Sequence, residues 1–270
     1  MKKSLILIAV SIILAIACVL PALANEPSIT VSLRIEGKDE NLFYEDISTN
    51  NALNYNIMSI LSLADSKSDK LIIEGLGYGY ITAINGTKIG QSASGKDSYT
   101  VRVNGKYVAF DQISTYPLHD GDEIIVYYGE EFGSGMMFPI VDTNKLDQGY
   151  IKFTCEVPSE DGKSVTTKSI VGATVTWYCD DVPFTYVTDA QGGFYIEKSA
   201  FTSGTHRLGL ELKDENGTPL LLRLPPNYTV EVPVGIGDSF AMYVFAALSL
   251  ISLGSAIAIC LSLKKKIFVK

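Results

Sequence analysis

The chain is constrained most by two uncharged apolar runs, one at each end. From Ser239 to Leu263 no residue is charged, and Lys264, Lys265 and Lys266 follow directly. As a helix, Phe240–Leu263 would be ~36 Å long, more than the ~30 Å hydrocarbon core of a bilayer. A segment that is apolar on every face has no stable place in water. Residues 239–263 therefore read as a transmembrane helix. Residues 264–270 read as its cytoplasmic tail, because lysines beside a span stay inside. At the other end, Lys2 and Lys3 precede an apolar run from Leu5 to Leu20 that only Ser11 interrupts. Pro21 and Ala22-Leu23-Ala24 come next, then polar Asn25. That order predicts a secretory signal peptide over residues 1–24, cut after Ala24. Two alternatives stay open: an uncleaved anchor, and a lipoprotein modified at Cys18. The expected product is a single-pass cell-membrane protein with its N-terminal ectodomain outside.

Charge divides the same way. Six of the 22 Lys and Arg lie in the two ends, whereas all 30 Asp and Glu lie between them. The middle thus carries 16 basic against 30 acidic residues, a net charge of −14. Such a surface favours solubility and repels nucleic acid. Of the four cysteines, only Cys155 and Cys179 belong to the middle segment. Export permits a disulfide between them, and a reducing habitat would leave both free.

Ile29, Val31, Leu33 and Ile35 alternate as in a strand with one buried face. A second strand is expected over 42–47. Leu53, Ile57, Ile60, Leu61 and Ala64 then recur at helical spacing, which predicts a helix over about 50–64 capped by Thr49 or Asn50. Strands are expected at 70–74, 78–84, 98–103, 106–110 and 123–128. Asn85-Gly86, Asn104-Gly105 and Asp120-Gly121-Asp122 supply the turns. One helix among several strands implies an α+β domain over 27–130. Residues 131–149 show no period and read as a linker, with local structure around Met136–Ile140. From 150 to 232 short strands, the last two expected at 219–223 and 228–232, recur between turn signals with no helical period, which implies an all-β sandwich domain.

The stretches YGYITAINGTKIG (78–90), DSYTVRVNGKYV (97–108) and YPLHDGDEIIVYYG (116–129) resemble the transcobalamin C-terminal-like domain of bacterial surface proteins. Tyr99 stands where that family usually has a Trp. The resemblance implies a β-grasp-like domain and brings in cobalamin as an alternative ligand. In animal members the domain closes over cobalamin opposite a large helical domain, and no segment of this sequence reads as one. VGATVTWY (171–178) and VTDAQGGFYIEKSAFTSGTHRLGLE (187–211) resemble the prealbumin-like, B-type repeats of collagen-adhesin stalks. Some of those repeats carry a Lys–Asn isopeptide bond beside an acid, for which Lys152, Asn227 and Glu211 are the matching set. PVGIGDS (233–239) resembles a degenerate cell-wall sorting signal. Ile236-Gly237 replaces the Thr-Gly that sortase cleaves, which favours membrane retention.

Chemistry is sparse. His119 and His206 are the two histidines, fall in different modules, and read as surface or turn residues. There is no G-x-S-x-G elbow, phosphate loop or C-x-x-C. Asp180-Asp181 with Asp189 would suit a Ca²⁺ ion, but hydrated turns are the commoner origin of such residues. No catalytic or resident metal site is expected. Tyr78, Tyr80, Tyr99, Tyr107, Tyr127 and Tyr128 concentrate in the first module. Tyrosine offers flat contact area with a polar tip, so Tyr78, Tyr80, Tyr99 and Asn104 are the candidate ligand-binding residues. The sequence thus implies a noncatalytic extracellular binding or adhesion protein with an unidentified ligand. Capture of cobalamin or another corrinoid is the alternative.

Overall fold

The computed structural model describes residues 28–50, 55–130, 133, 135–158 and 165–233. The expected signal peptide with its Ala24 cleavage point, and the expected span and tail at 239–270, lie outside the described residues. Among the described residues no helix is long and apolar enough to cross a membrane. These residues form a β-rich structure with one α-helix. Their contacts divide into two units, one of residues 28–136 with Lys213–Leu222, the other of Met137–Leu212 with 223–233.

In the first unit, β1 (Ile29–Glu36) and β2 (Asn41–Thr49) form an antiparallel hairpin. The other sheet members are β6 (Ser98–Val103), β7 (Lys106–Val108) and β8 (Glu123–Gly129), in the order β2-β1-β8-β6-β7. β1 and β8 run parallel at its centre. The turn before β8 fixes that pairing, since Asp120 Oδ1 accepts the Thr30 N–H at 2.8 Å and Thr30 C=O accepts the Gly121 N–H at 2.8 Å. The alternating Ile29, Val31, Leu33 and Ile35 are all buried in one core with Ile57, Ile60, Leu61 and Ala64 of the helix.

That helix, α1 (Ile57–Lys67), starts later than the sequence predicts. Thr49 is still in β2, paired with Ile29, and it and Asn50 stand too far from Ile57 to cap α1. Asn56 does so instead, its Oδ1 accepting the Ser59 N–H at 3.0 Å. The predicted strand 78–84 is also corrected. Gly75 (φ 95°) and Gly79 (φ 82°) flank a single 3-10 turn over Leu76–Tyr78, and only Ala83–Ile84 is extended, as β4. A Cβ on residue 75 would meet the Tyr80 carbonyl, so the bend needs glycine there. β4 joins β3 (Ile73–Glu74) and β5 (Thr87–Lys88) in a small separate sheet, closed by the Asn85-Gly86 turn.

The second unit holds two four-stranded sheets. One is built on β10 (Tyr150–Pro158). Lys152 pairs with both Asp142 and Gly193, so β9 (Pro139–Asp142) and β14 (Gly193–Tyr195) lie on opposite sides of it. β11 (Val165–Ser169) continues the β14 side. The other sheet has the order β13-β12-β15-β16, from Val182–Val187, Thr174–Cys179, Gly204–Glu211 and Thr229–Val232. Ile151, Phe153 and Cys155 of the first sheet and Val175, Trp177, Leu208 and Leu210 of the second are buried, alternating with more exposed neighbours. Tyr186 and Phe194 touch from one sheet to the other, ring centroids 4.9 Å apart. This is a β-sandwich.

Three differences from the sequence reading follow from edges and turns. β9 lies within the stretch read as a linker, and β11 was not foreseen. Both are short outer strands with few buried residues, and so carry little alternation. The strand expected at 219–223 is replaced by an isolated bridge between Lys213 and Pro219. There Asp214 Oδ1 accepts the N–H groups of Asn216 and Thr218 and curls the chain into a turn.

Candidate functional site

The first unit carries a cleft of ≈ 580 Å³ between the β6–β7 hairpin and the loops on either side of it. Val101 and Val108 form its apolar floor, with Ile81, Ile89 and Ile113 around them. Tyr107 and Phe110 stand at it 58% and 56% exposed. Phe110 is in a 3-10 turn, Phe110–Gln112, immediately after β7. Its ring lies 5.7 Å from that of Tyr80, which lies 6.3 Å from Tyr78. The aromatic surface therefore continues past the cleft to Tyr78, itself 83% exposed.

One wall is polar and fixed. Asp97 is buried, and its carboxylate accepts the Ser92 N–H at 2.8 Å, the Gln91 N–H at 3.2 Å and the Tyr128 hydroxyl at 2.7 Å. Burial alone would raise the Asp97 carboxyl. The hydrogen bonds from Ser92, Tyr128 and Gln91 outweigh it and hold the carboxyl at about 2. Burial, and then the facing Asp97, push the Tyr128 phenol well above its ordinary range. Tyr99 is pushed up to about 12, chiefly by burial.

The four sequence-derived candidates do not converge. Tyr78 and Tyr80 share the exposed aromatic row. Tyr99 is 5% exposed and supports the cleft from within the core, with its hydroxyl 3.4 Å from the Ile84 and Thr87 carbonyls. Asn104 is a turn residue at φ 50°. It donates to Asp122 Oδ1 at 2.7 Å and accepts the Glu123 N–H at 2.9 Å, so its side chain is spent on the β6–β8 connection. Sequence reasoning missed Phe110, whose 3-10 turn has no period to read, and Asp97, whose partners come from a loop and from β8.

Other expectations resolve as follows. His119 is exposed, but His206 is 3% exposed, which corrects its reading as a surface residue. It stacks on Trp177 at 4.7 Å, and its ring nitrogens lie 2.8 Å from the Thr202 carbonyl and 3.3 Å from that of Tyr178. Asp180 and Asp181 form the β12–β13 turn, both at positive φ, whereas Asp189 is tied to the N–H groups of Gln191 and Gly193. Among the described residues no three His, Cys, Asp or Glu gather as a metal site. Cys155 and Cys179 are both buried free thiols. The isopeptide set is not assembled: Lys152 pairs in register with Asp142 and Gly193, Glu211 binds Arg223 at 2.9 Å, and Asn227 is exposed.

No protein-family model matches the chain, and no curated protein matches it. Among solved structures it is similar to haptocorrin in complex with Cbi, with a TM-score of 0.32 and 16% identity. That match covers 39% of this chain and 26% of the haptocorrin chain.

Proposed function

We propose that this is a noncatalytic binding protein displayed at the cell surface, with a β-grasp-like first unit that takes the ligand and a sandwich that serves as its stalk. The carrying observation is the cleft with Tyr107 and Phe110 exposed beside an apolar floor. Aromatic rings left in water next to a preformed apolar cleft have the anatomy of a binding site. Display rests on the apolar ends of the sequence, whose composition suits export and anchoring. The test is retention of the full chain, in detergent, on a panel of immobilised extracellular proteins. The Phe110→Ala/Tyr107→Ala double variant should lose at least tenfold in retention and keep its melting temperature. Equal retention by the double variant overturns the reading.

Capture of a corrinoid is the second reading. It is favoured by one observation: residues from two of the three transcobalamin-like stretches, Ile81, Ile89 and Gly90 in one and 97–101 with Tyr107 and Val108 in the other, line this cleft. Titration with cobalamin tests it directly. An unchanged corrin absorbance, with no retention of ligand at micromolar concentration, ends it.

A further inference from the structure

The second unit has a cleft of its own, of ≈ 630 Å³, on the outward face of the β9-β10-β14 sheet. We infer that it is a carbohydrate site, built for a neutral sugar chain around the Tyr150–Tyr195 pair.

The strands set its floor. Tyr150 and Lys152 alternate along β10 with buried Ile151 and Phe153, so they face outward. In register they oppose Tyr195 and Gly193. The two tyrosine rings lie 4.7 Å apart, and Tyr195 is 65% exposed. The Tyr150 hydroxyl occupies the place where a Cβ on residue 193 would sit. Glycine at 193 thus lets the Tyr150 ring lie down across β14 as part of a platform.

Polar groups surround that platform. Asp142 Oδ1 accepts the Asn144 N–H at 2.9 Å. Asp189 Oδ1 accepts the N–H groups of Gln191 and Gly193, each at 2.9 Å. Each carboxylate is anchored through one oxygen by its own turn, and its Oδ2 has no partner among the described residues. The same holds for the side chains of Asn144, Gln191 and Lys152. The Lys145 Nζ lies 6.0 Å from the centroid of the Tyr150 ring.

This inventory narrows the ligand. Two lysines and two aspartates cancel, so neither an anion nor a cation is favoured by net charge. Ammonium and amide groups donate, while carboxylate and amide oxygens accept. A ligand that gives and takes hydrogen bonds around its edge and lays an apolar face on an aromatic ring meets all these conditions at once. A pyranose does so. The volume lies within the range of about 300–1,000 Å³ usual for small-ligand sites. Carboxylates already fixed by backbone N–H groups lose little freedom on binding.

The test uses the full chain in a detergent without a sugar head group. Cellotetraose, maltotetraose and tetra-N-acetylchitotetraose are titrated by calorimetry, with a hyaluronan tetrasaccharide as the anionic counterpart. At least one neutral sugar should saturate, more tightly than hyaluronan. Tyr195→Ala should weaken it at least tenfold, and Gln191→Ala severalfold. Both side chains are exposed, so circular dichroism should match the parent. Phe110→Ala, in the first unit, should leave sugar binding unchanged, which separates this site from the other cleft. The proposal is overturned if no neutral sugar saturates, if hyaluronan binds more tightly, or if both Tyr195→Ala and Gln191→Ala titrate like the parent.

Discussion

The Tyr128 hydroxyl donates to Asp97 Oδ2 at 2.7 Å inside the first unit, tying the last strand of the sheet to the loop that enters β6. Ser92 and Gln91 complete the carboxylate's set of donors. The Asp97 carboxyl is at about 2 in the fold, against 3.8 for the free group. A carboxylate whose folded pKa is depressed stabilises the fold above its unfolded pKa. That contribution is lost as pH falls from 3.8 through about 2. It amounts to about 2 kcal/mol. Thermal unfolding between pH 5 and pH 2 should show the loss, and Asp97→Asn should flatten the curve in that window while lowering stability at pH 7. An unchanged slope in Asp97→Asn would remove Asp97 as its source.

Asn104 holds the turn that its Asn-Gly motif suggests, and its side chain is used there rather than at the cleft. It sits at φ 50°, next to Gly105 at φ 73°, in a two-residue hairpin turn. Its amide bridges Asp122 and the Glu123 N–H. Asn104→Ala should cost about 1–3 kcal/mol, read as a shift in the denaturant midpoint at constant slope. Ligand retention at the first-unit cleft should not change, because Asn104 does not line it.

These residues show where the sequence was readable. Strand β1 was legible because one of its faces packs on a helix, which enforces alternation from Ile29 to Ile35. The two Asn-Gly turns were legible because few residues accept a left-handed backbone. The burial of Tyr99 was not legible, because alternation fixes which residues share a face, but the side the helix covers is set by tertiary packing. Phe110, Tyr78 and Tyr80 lie on or beside 3-10 turns, where neither period applies. Tyr150 and Tyr195 come together only because distant strands pair, and no local pattern records that register. His206 shares its strand face with buried Leu208 and Leu210, a signal that its polar ring masked.

Trp177 and His206 form the most demanding contact of the sandwich core. The indole donates to the Ala200 carbonyl at 2.9 Å, and the imidazole nitrogens lie 2.8 Å from the Thr202 carbonyl and 3.3 Å from that of Tyr178, so that the N–H of a neutral ring serves one of the two. His206→Ala loses both the stack and the hydrogen bond and should cost about 2–4 kcal/mol. His206→Phe keeps a stacked ring but removes the one N–H that the imidazole gives to a carbonyl, at about 1–3 kcal/mol. Calorimetric unfolding of the two variants apportions the effect. Equal stability of His206→Phe and the parent would show that the ring matters only as bulk.

The thiols of Cys155 and Cys179 offer a reading of the sandwich's cooperativity. Burial pushes the Cys155 thiol up, with Lys168 a smaller opposing influence. Cys179 Sγ lies 3.3 Å from the Thr202 hydroxyl. The thiolate attacks the disulfide reagent, which must reach it, and both sulfurs belong to buried residues. In a Cys18→Ser/Cys260→Ser background, a disulfide reagent should therefore release almost no signal from the native protein and two equivalents in denaturant. With the reagent in excess, the slow native reaction should follow the opening of the sandwich, and both sulfurs should react at one rate if the two sheets part together. Protein that yields no free thiol even when denaturant is present would hold a bridge between β10 and β12. Fast reaction of Cys179 alone would mean that the β12 end opens while the sheet built on β10 stays closed.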